Sequence, residues 1–176
     1  MTAAWIAGSG VRPQGPVDAG GDHRPPDPPG ADQLAGADEV VGLHGLRNVE
    51  FGDTEADLTR RGILRSEVDA CGPTLAGHEA VSPIFVNDRL VLLWLDDPVR
   101  TPEGVTVGTP VEQARSRYTT VSRLYAPQGT HRFDGLLARS GDRAYLFLHD
   151  GRTVRKIIAG YADWARRLFV EGHGPC

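Results

Sequence analysis

The sequence holds one lysine, Lys156, among nineteen cations, with two cysteines, one methionine and no long apolar run. Its longest strictly apolar stretch, Leu90 to Leu95, is far short of the roughly 20 residues of a transmembrane helix. No membrane span is therefore expected. Residues Met1 to Gly10 lack both a basic start and a continuous apolar core, so they do not form a signal peptide. A net charge of −4 and a pI of about 5.8 leave no concentrated basic face, which argues against a nucleic-acid partner.

Catalytic patterns are missing too. The histidines His23, His44, His78, His131, His149 and His173 are never three to five residues apart. That excludes a helical metal-binding pair, and no metal is expected. No Gly-x-Ser-x-Gly elbow occurs, and the nearest approach, Gly8-Ser9-Gly10, lies in a Gly/Pro-rich tail. The Gly-rich stretches lack the lysine of a phosphate loop. Asp96 and Asp97 are adjacent, so on a strand end they point to opposite faces; with Pro98 they read as a turn. No catalytic residue and no cofactor are expected, and the residues specify no reaction.

What is present suits one domain. A chain of 176 residues with 40% hydrophobic and 24% charged residues can bury a core. Arginine dominance, 22 Gly and 13 Pro fit the coding bias of a GC-rich, actinobacterial genome. Residues 1–38 hold few large apolar side chains and the cluster Pro25, Pro26, Pro28, Pro29. They read as a disordered, flexible tether that cannot offset its ordering entropy. Residues 39–176 read as a single α+β domain in two related helix-plus-strands units, about 44–100 and 101–176. Two short capped helices pack on an antiparallel sheet.

The units share a pattern. Leu46 to Phe51 leads into Gly52-Asp53-Thr54-Glu55, and Val105 to Val107 leads into Gly108-Thr109-Pro110-Val111-Glu112. Each is an extended stretch, a glycine, a capping residue and a short helix, about Thr54 to Leu64 and Pro110 to Tyr118. In the second, Thr109 is the expected N-cap, with Pro110 at the first helical position and Glu112 closing a capping box. Strands follow. Ala80 to Val86 and Arg89 to Leu95 make a hairpin around Asn87-Asp88, with Pro83 marking an edge strand. Arg132 to Arg139, Ala144 to His149 and Arg152 to Ile158 make a meander, with Asp150-Gly151 as a type I′ turn signal. Residues 161–170 fit either a helix or a closing strand.

Cys71 follows the first helix and Cys176 is the last residue. A bridge between them would tie the chain end to the body and, by closing a loop of about 100 residues, contribute about 4–5 kcal/mol in the chain-entropy model. Two free thiols are the other reading. A Cys71–Cys176 disulfide implies folding in an oxidising compartment, so the domain is expected to be secreted or held at the cell envelope, its signal or anchor lying upstream of this chain.

Phe51-Gly52-Asp53-Thr54 and Val107-Gly108-Thr109-Pro110, each between an extended stretch and antiparallel strands, resemble the helix-plus-sheet repeat of β-lactamase-inhibitor proteins. They also resemble the SmpA/OmlA type of outer-membrane-assembly lipoprotein. Thr101-x-x-Gly104-Val105-x-Val107-Gly108, Asp150-Gly151-x-x-Val154 and Glu171-Gly172 before Cys176 look like secreted actinobacterial proteins. The resemblance covers about residues 44–176 and implies fold and export. It does not imply the target, since inhibitor-type proteins carry a disulfide within each repeat and this chain has too few cysteines.

The sheet itself suggests a surface. Leu90, Leu92 and Trp94 alternate with Val91, Leu93 and Leu95, and Tyr145 and Phe147 alternate with Ala144, Leu146 and Leu148. Both faces are apolar, so the second must be covered by chain, by a second copy or by a partner. The loop from Tyr118 to Gly129 and the 161–170 segment are candidates for covering it. Otherwise Trp94, Tyr145, Phe147 and His149 form a binding surface for a protein at the cell envelope. The alternative is a small secreted enzyme or inhibitor domain with a site near His131, Asp134 and His149.

Overall fold

In the computed structural model, which describes residues 39–65 and 72–172, the apolar runs become one sheet between two unequal layers. Two short strands, β1 (Gly45–Leu46) and β2 (Val49–Glu50), form a small hairpin ahead of helix α1 (Glu55–Arg60). The pair β3 (Leu64–Arg65) and β4 (Thr74–Leu75) precedes the long hairpin of β5 (Val81–Val86) and β6 (Arg89–Leu95). Helix α2 (Val111–Ser116) leads to β7 (Val121–Leu124), β8 (Asp134–Ser140), β9 (Arg143–His149) and β10 (Val154–Tyr161), and α3 (Ala162–Glu171) closes the order. The main sheet has six strands in the order β5-β6-β10-β9-β8-β7, and every neighbouring pair is antiparallel. The chain is thus α+β, mostly antiparallel sheet with few short helices. Pro83 lies on β5, an edge strand, where its missing N–H breaks no central ladder.

One face of the sheet carries Leu93, Leu95, Leu136, Tyr145, Phe147 and Ile157. It packs against the preceding chain through Val41, Val49, Leu58, Val99, Val105 and Val111. The other face carries Val91, Leu137, Ala144, Leu146 and Ile158 and packs against Ala162, Ala165 and Phe169 of α3. The expected alternation in β6 is corrected by a bulge. Ile84 pairs with Leu92 but Phe85 pairs with Leu90, leaving Val91 as the extra residue. Leu90 therefore joins Leu93 and Leu95, while Val91 joins Leu92 and Trp94 on the α3 face. One inserted residue reverses the parity of everything before it. Gly160, opposite Leu92, has φ 144°. A Cβ there would lie 2.3 Å from the Val91 carbonyl oxygen, so the bulge requires a bare backbone beside it.

The helices are shorter than the sequence suggests. Thr54 caps α1, its Oγ1 accepting the Asp57 N–H at 3.0 Å. The helix ends at Arg60 because Ile63 N–H returns to the Leu58 carbonyl at 2.9 Å, past Gly62 with φ 71°. At α2 the expected capping box is not formed. Pro110 occupies the capping position without a side-chain bond. Thr109 Oγ1 accepts from Thr106 N–H at 3.0 Å, and Glu112 pairs with Arg115 at 2.9 Å. Asn87 and Asp88 adopt φ 50° and 60°, which makes the two-residue hairpin turn. Asp150-Gly151 is not a two-residue turn, because β10 begins only at Val154. Instead Asp150 Oδ1 accepts the Arg152 and Thr153 N–H groups at 2.9 Å each. Residues 162–171 are helix. Trp164 and Leu168, like Ala165 and Phe169, recur at i, i+4 on the side packed on the sheet.

The same backbone exchange occurs twice. Gly52 N–H donates to the Leu90 carbonyl and Leu90 N–H donates to that of Asp53, both at 2.8 Å. Gly108 N–H donates to the Val154 carbonyl at 2.8 Å, and Val154 N–H to that of Thr109 at 2.9 Å. The expected tether, residues 1–38, and both cysteines of the expected Cys71–Cys176 disulfide lie outside the described residues. Among the described residues, no helix is long and apolar enough to cross a membrane.

Candidate functional site

Six strands about 4.8 Å apart make a sheet about 24 Å wide. A ten-residue helix is about 15 Å long and about 10 Å across. Helix α3 therefore cannot cover its face of the sheet, and among the described residues apolar grooves remain beside it over β5 and β6 and at its C-terminal end. One groove, about 160 Å³, runs over Ile84, Val86, Val91 and Leu92 beside Trp164 and Leu168. The other, about 210 Å³, is lined by Trp94, Arg132, Phe133, Leu148, Leu168, Phe169 and Gly172.

The second groove is built from four parts of the chain. Trp94 comes from β6 opposite Ile158 and stays half-buried, with Lys156 Nζ 5.8 Å from its ring centre. That ammonium also meets Asp96 at 2.9 Å. Phe169 descends from α3 onto β8, where Gly135 makes room. A Cβ on Gly135 would stand 3.1 Å from both the Phe169 ring and Leu146. Phe133, just before β8, is 39% exposed. Arg132 lies with its guanidinium 5.7 Å from the Phe169 ring centre and donates to the Phe169 carbonyl and, at 3.3 Å, to that of Val170. It neutralises the negative end of α3. Among the described residues it meets no carboxylate.

The four residues expected to share a surface are divided between the two faces. Trp94 lines the groove. Tyr145 and Phe147 are core residues, each 1% exposed, on the opposite face. The register explains the split. Tyr145 lines up with Ala159 and Leu93, whereas Trp94 lines up with Ile158 and Leu146. Tyr145 and Phe147 stack with ring centres 5.9 Å apart, and Tyr118 joins them at 5.7 and 5.4 Å. The Tyr145 hydroxyl donates to the Val41 carbonyl at 2.9 Å, and burial raises both tyrosine pKa values well above the usual phenol value.

His149, half-buried at the end of β9, continues the Tyr145–Phe147 row and lies opposite Asp134 of β8. Its Nδ1 accepts the Gly151 N–H at 3.1 Å, so the proton of the neutral ring is on Nε2. Burial is the largest influence and holds its pKa below the usual value. Asp134, Asp150 and Glu112 pull it up, and Arg123 pushes it down. Asp134 Oδ1 is engaged by the Ala126 N–H at 2.8 Å. His131 is exposed in the preceding loop. Among the described residues, no group of three His, Cys, Asp or Glu is placed to hold a metal.

The sequence singles out Trp94 but gives no sign that Arg132, Phe133, Leu148 and Phe169 line the groove with it. The helical spacing of Trp164 and Leu168 was a signal for the α3 side. The approach of Arg132 and Phe133 depends on a loop that carries no pattern. No family model, no curated protein and no solved structure matches the chain.

Proposed function

We propose that the chain is a non-enzymatic protein-binding module, secreted or held at the cell envelope, which binds its partner in the groove between α3 and Trp94. The observation that carries this reading is the incomplete cover of the α3 face, which leaves Trp94, Phe133, Leu148 and Leu168 lining an open apolar groove. Aromatic side chains in such a position are favoured anchors. Arg132, without a carboxylate of its own among the described residues, suits a partner segment that places an acidic residue beside an aromatic or aliphatic one. The twofold exchange at Gly52–Leu90 and Gly108–Val154 supports two related helix-plus-strands units. With them goes the resemblance to inhibitor-type and SmpA/OmlA-type domains, and to export. A Cys71–Cys176 disulfide belongs to the same proposal.

Photo-crosslinking tests the groove. A benzophenone side chain at Phe133 is expected to label an envelope protein that the same probe at Tyr125, 72% exposed, does not label. Trp94→Ala should abolish that labelling while the fold persists. Undiminished labelling by the Trp94→Ala protein would remove the groove from consideration. The enzyme alternative has one observation in its favour, His149 standing opposite Asp134 across the β8–β9 ladder. Loss of a hydrolytic turnover in a folded His149→Gln protein would support it.

A further inference from the structure

A third concavity lies on the other face of the sheet and is lined by polar and apolar side chains alike. It has a volume of about 630 Å³, within the roughly 300–1,000 Å³ of small-molecule sites. Tyr118, Leu43 and Ala138 line it and also pack on the core of that face, so they form its floor. Its rim consists of Thr119, Thr120 and Ser140, which are exposed, and of two arginines. Arg117 follows α2, and Arg139 comes from β8.

The two guanidinium groups are held in the same way. Arg117 Nη1 donates to the Glu103 carbonyl at 2.6 Å, and Arg139 Nε donates to the Gly141 carbonyl at 2.8 Å. Each is steadied by one backbone acceptor and, among the described residues, neither has a carboxylate partner. Most of their N–H donors remain unused. Among the described residues, the one carboxylate lining the cleft is that of Glu103, which accepts the Tyr118 hydroxyl at 2.8 Å. Two arginines against one glutamate make the cleft cationic.

We infer that this cleft is a binding site for a small acidic sugar, meaning a sugar ring that bears a carboxylate or a phosphate. The chemistry divides among these residues. A planar fork of N–H donors pairs with either anion. The three rim hydroxyls both donate and accept, which matches the hydroxyls of a sugar ring. The Tyr118 ring offers an apolar floor for its C–H face. A purely anionic site would not need the ring or the hydroxyls, and a neutral sugar would leave both guanidinium groups without an anionic partner. The cleft is independent of the Trp94 groove, since it lies on the opposite side of the sheet.

The test is ligand-observed NMR and calorimetry on the full chain with glucuronate, glucose 6-phosphate, glucose and inorganic phosphate. Glucuronate or glucose 6-phosphate is expected to bind at least tenfold tighter than glucose or phosphate. Whichever of the two binds tighter identifies the anion as carboxylate or phosphate. Arg139→Ala, at an exposed position, should weaken that binding about tenfold, as for loss of a charge-assisted bond, and Arg139→Lys should restore part of it. Arg117→Ala should act in the same direction. If it unfolds the protein, the Arg139 pair alone decides. Equal affinity for phosphate and for the acidic sugars would overturn the sugar assignment. Absence of binding by both acidic sugars, or binding unchanged in Arg139→Ala, would overturn the site.

Discussion

Replacing Phe147 by alanine removes a ring that is 1% exposed and in contact with Tyr118 and Tyr145, its centre 5.4 and 5.9 Å from theirs. The surrounding strands are pinned on both sides, β8 and β10, so the site cannot collapse. The loss should be about 3–5 kcal/mol, transfer and cavity together, a large share of the 5–15 kcal/mol typical of a domain. Trp94→Ala removes a larger ring, yet its space opens to the groove and fills with water. Its cost should be about 1–2 kcal/mol, including about 0.5 kcal/mol for the Lys156 ammonium over the ring. Urea denaturation followed by far-UV circular dichroism measures both, provided the slopes agree with the parent. Equal losses, or a larger loss for Trp94→Ala, would refute the assignment of the two residues to core and groove.

Truncation should separate two nearby cut sites. A chain starting at Glu39 keeps Val41, which is fully buried and whose carbonyl accepts the Tyr145 hydroxyl. A chain starting at Gly42 should lose about 3 kcal/mol by calorimetry. Gly135→Leu drives a side chain into Phe169 and Leu146, and should cost about 1–3 kcal/mol and alter the near-UV dichroism of Trp94 and Trp164 as α3 lifts. Thr54→Ala should cost about 1 kcal/mol through its lost cap, read as a lower urea midpoint. Stability should also fall with pH in two steps. His149 has a folded pKa below its usual 6.5, so the unfolded chain takes up the proton first, and stability present above 6.5 is lost as pH falls below it. The Asp150 carboxyl is held below its usual 3.8 by the Thr153 and Arg152 N–H groups and by Arg155. Its contribution persists above 3.8 and is lost on further acidification. His149→Gln should flatten the first step and leave the second.

Much of the sheet was legible because β-structure leaves a period in the sequence. Arg89 to Leu95 and the Asn87-Asp88 turn stand where alternation and turn chemistry place them, and Pro83 marked the edge. Alternation also showed that β9 is apolar on both sides. It could not show that Tyr145 and Trp94 lie on different faces, because parity is comparable between strands only once register is known, and the bulge at Val91 shifts it. Strand β7, four half-exposed or exposed residues at an edge, has too little apolar pattern to read. The strands β1 to β4 are two residues each and depend on packing that no local signal records.

The groove was legible only as a problem of cover, and the geometry of cover explains where it lies. The face bearing Tyr145 and Phe147 is screened by α1, α2 and the connecting chain, which together supply Val41, Leu58, Val105 and Val111. Among the described residues, the opposite face receives a single helix, which starts directly at the end of β10 with no connecting loop. That short connection fixes α3 over the middle of the sheet, on Ala144, Leu146 and Ile158, and the helix ends at Glu171 without covering Trp94 and Leu148. Trp94 therefore stands at the C-terminal end of the helix rather than beneath it. Trp164 and Leu168 show the same half-burial from the helix side. An apolar strip that one helix cannot span leaves room for a second extended or helical segment, and the aromatic residues along its border are the places where such a segment would be gripped.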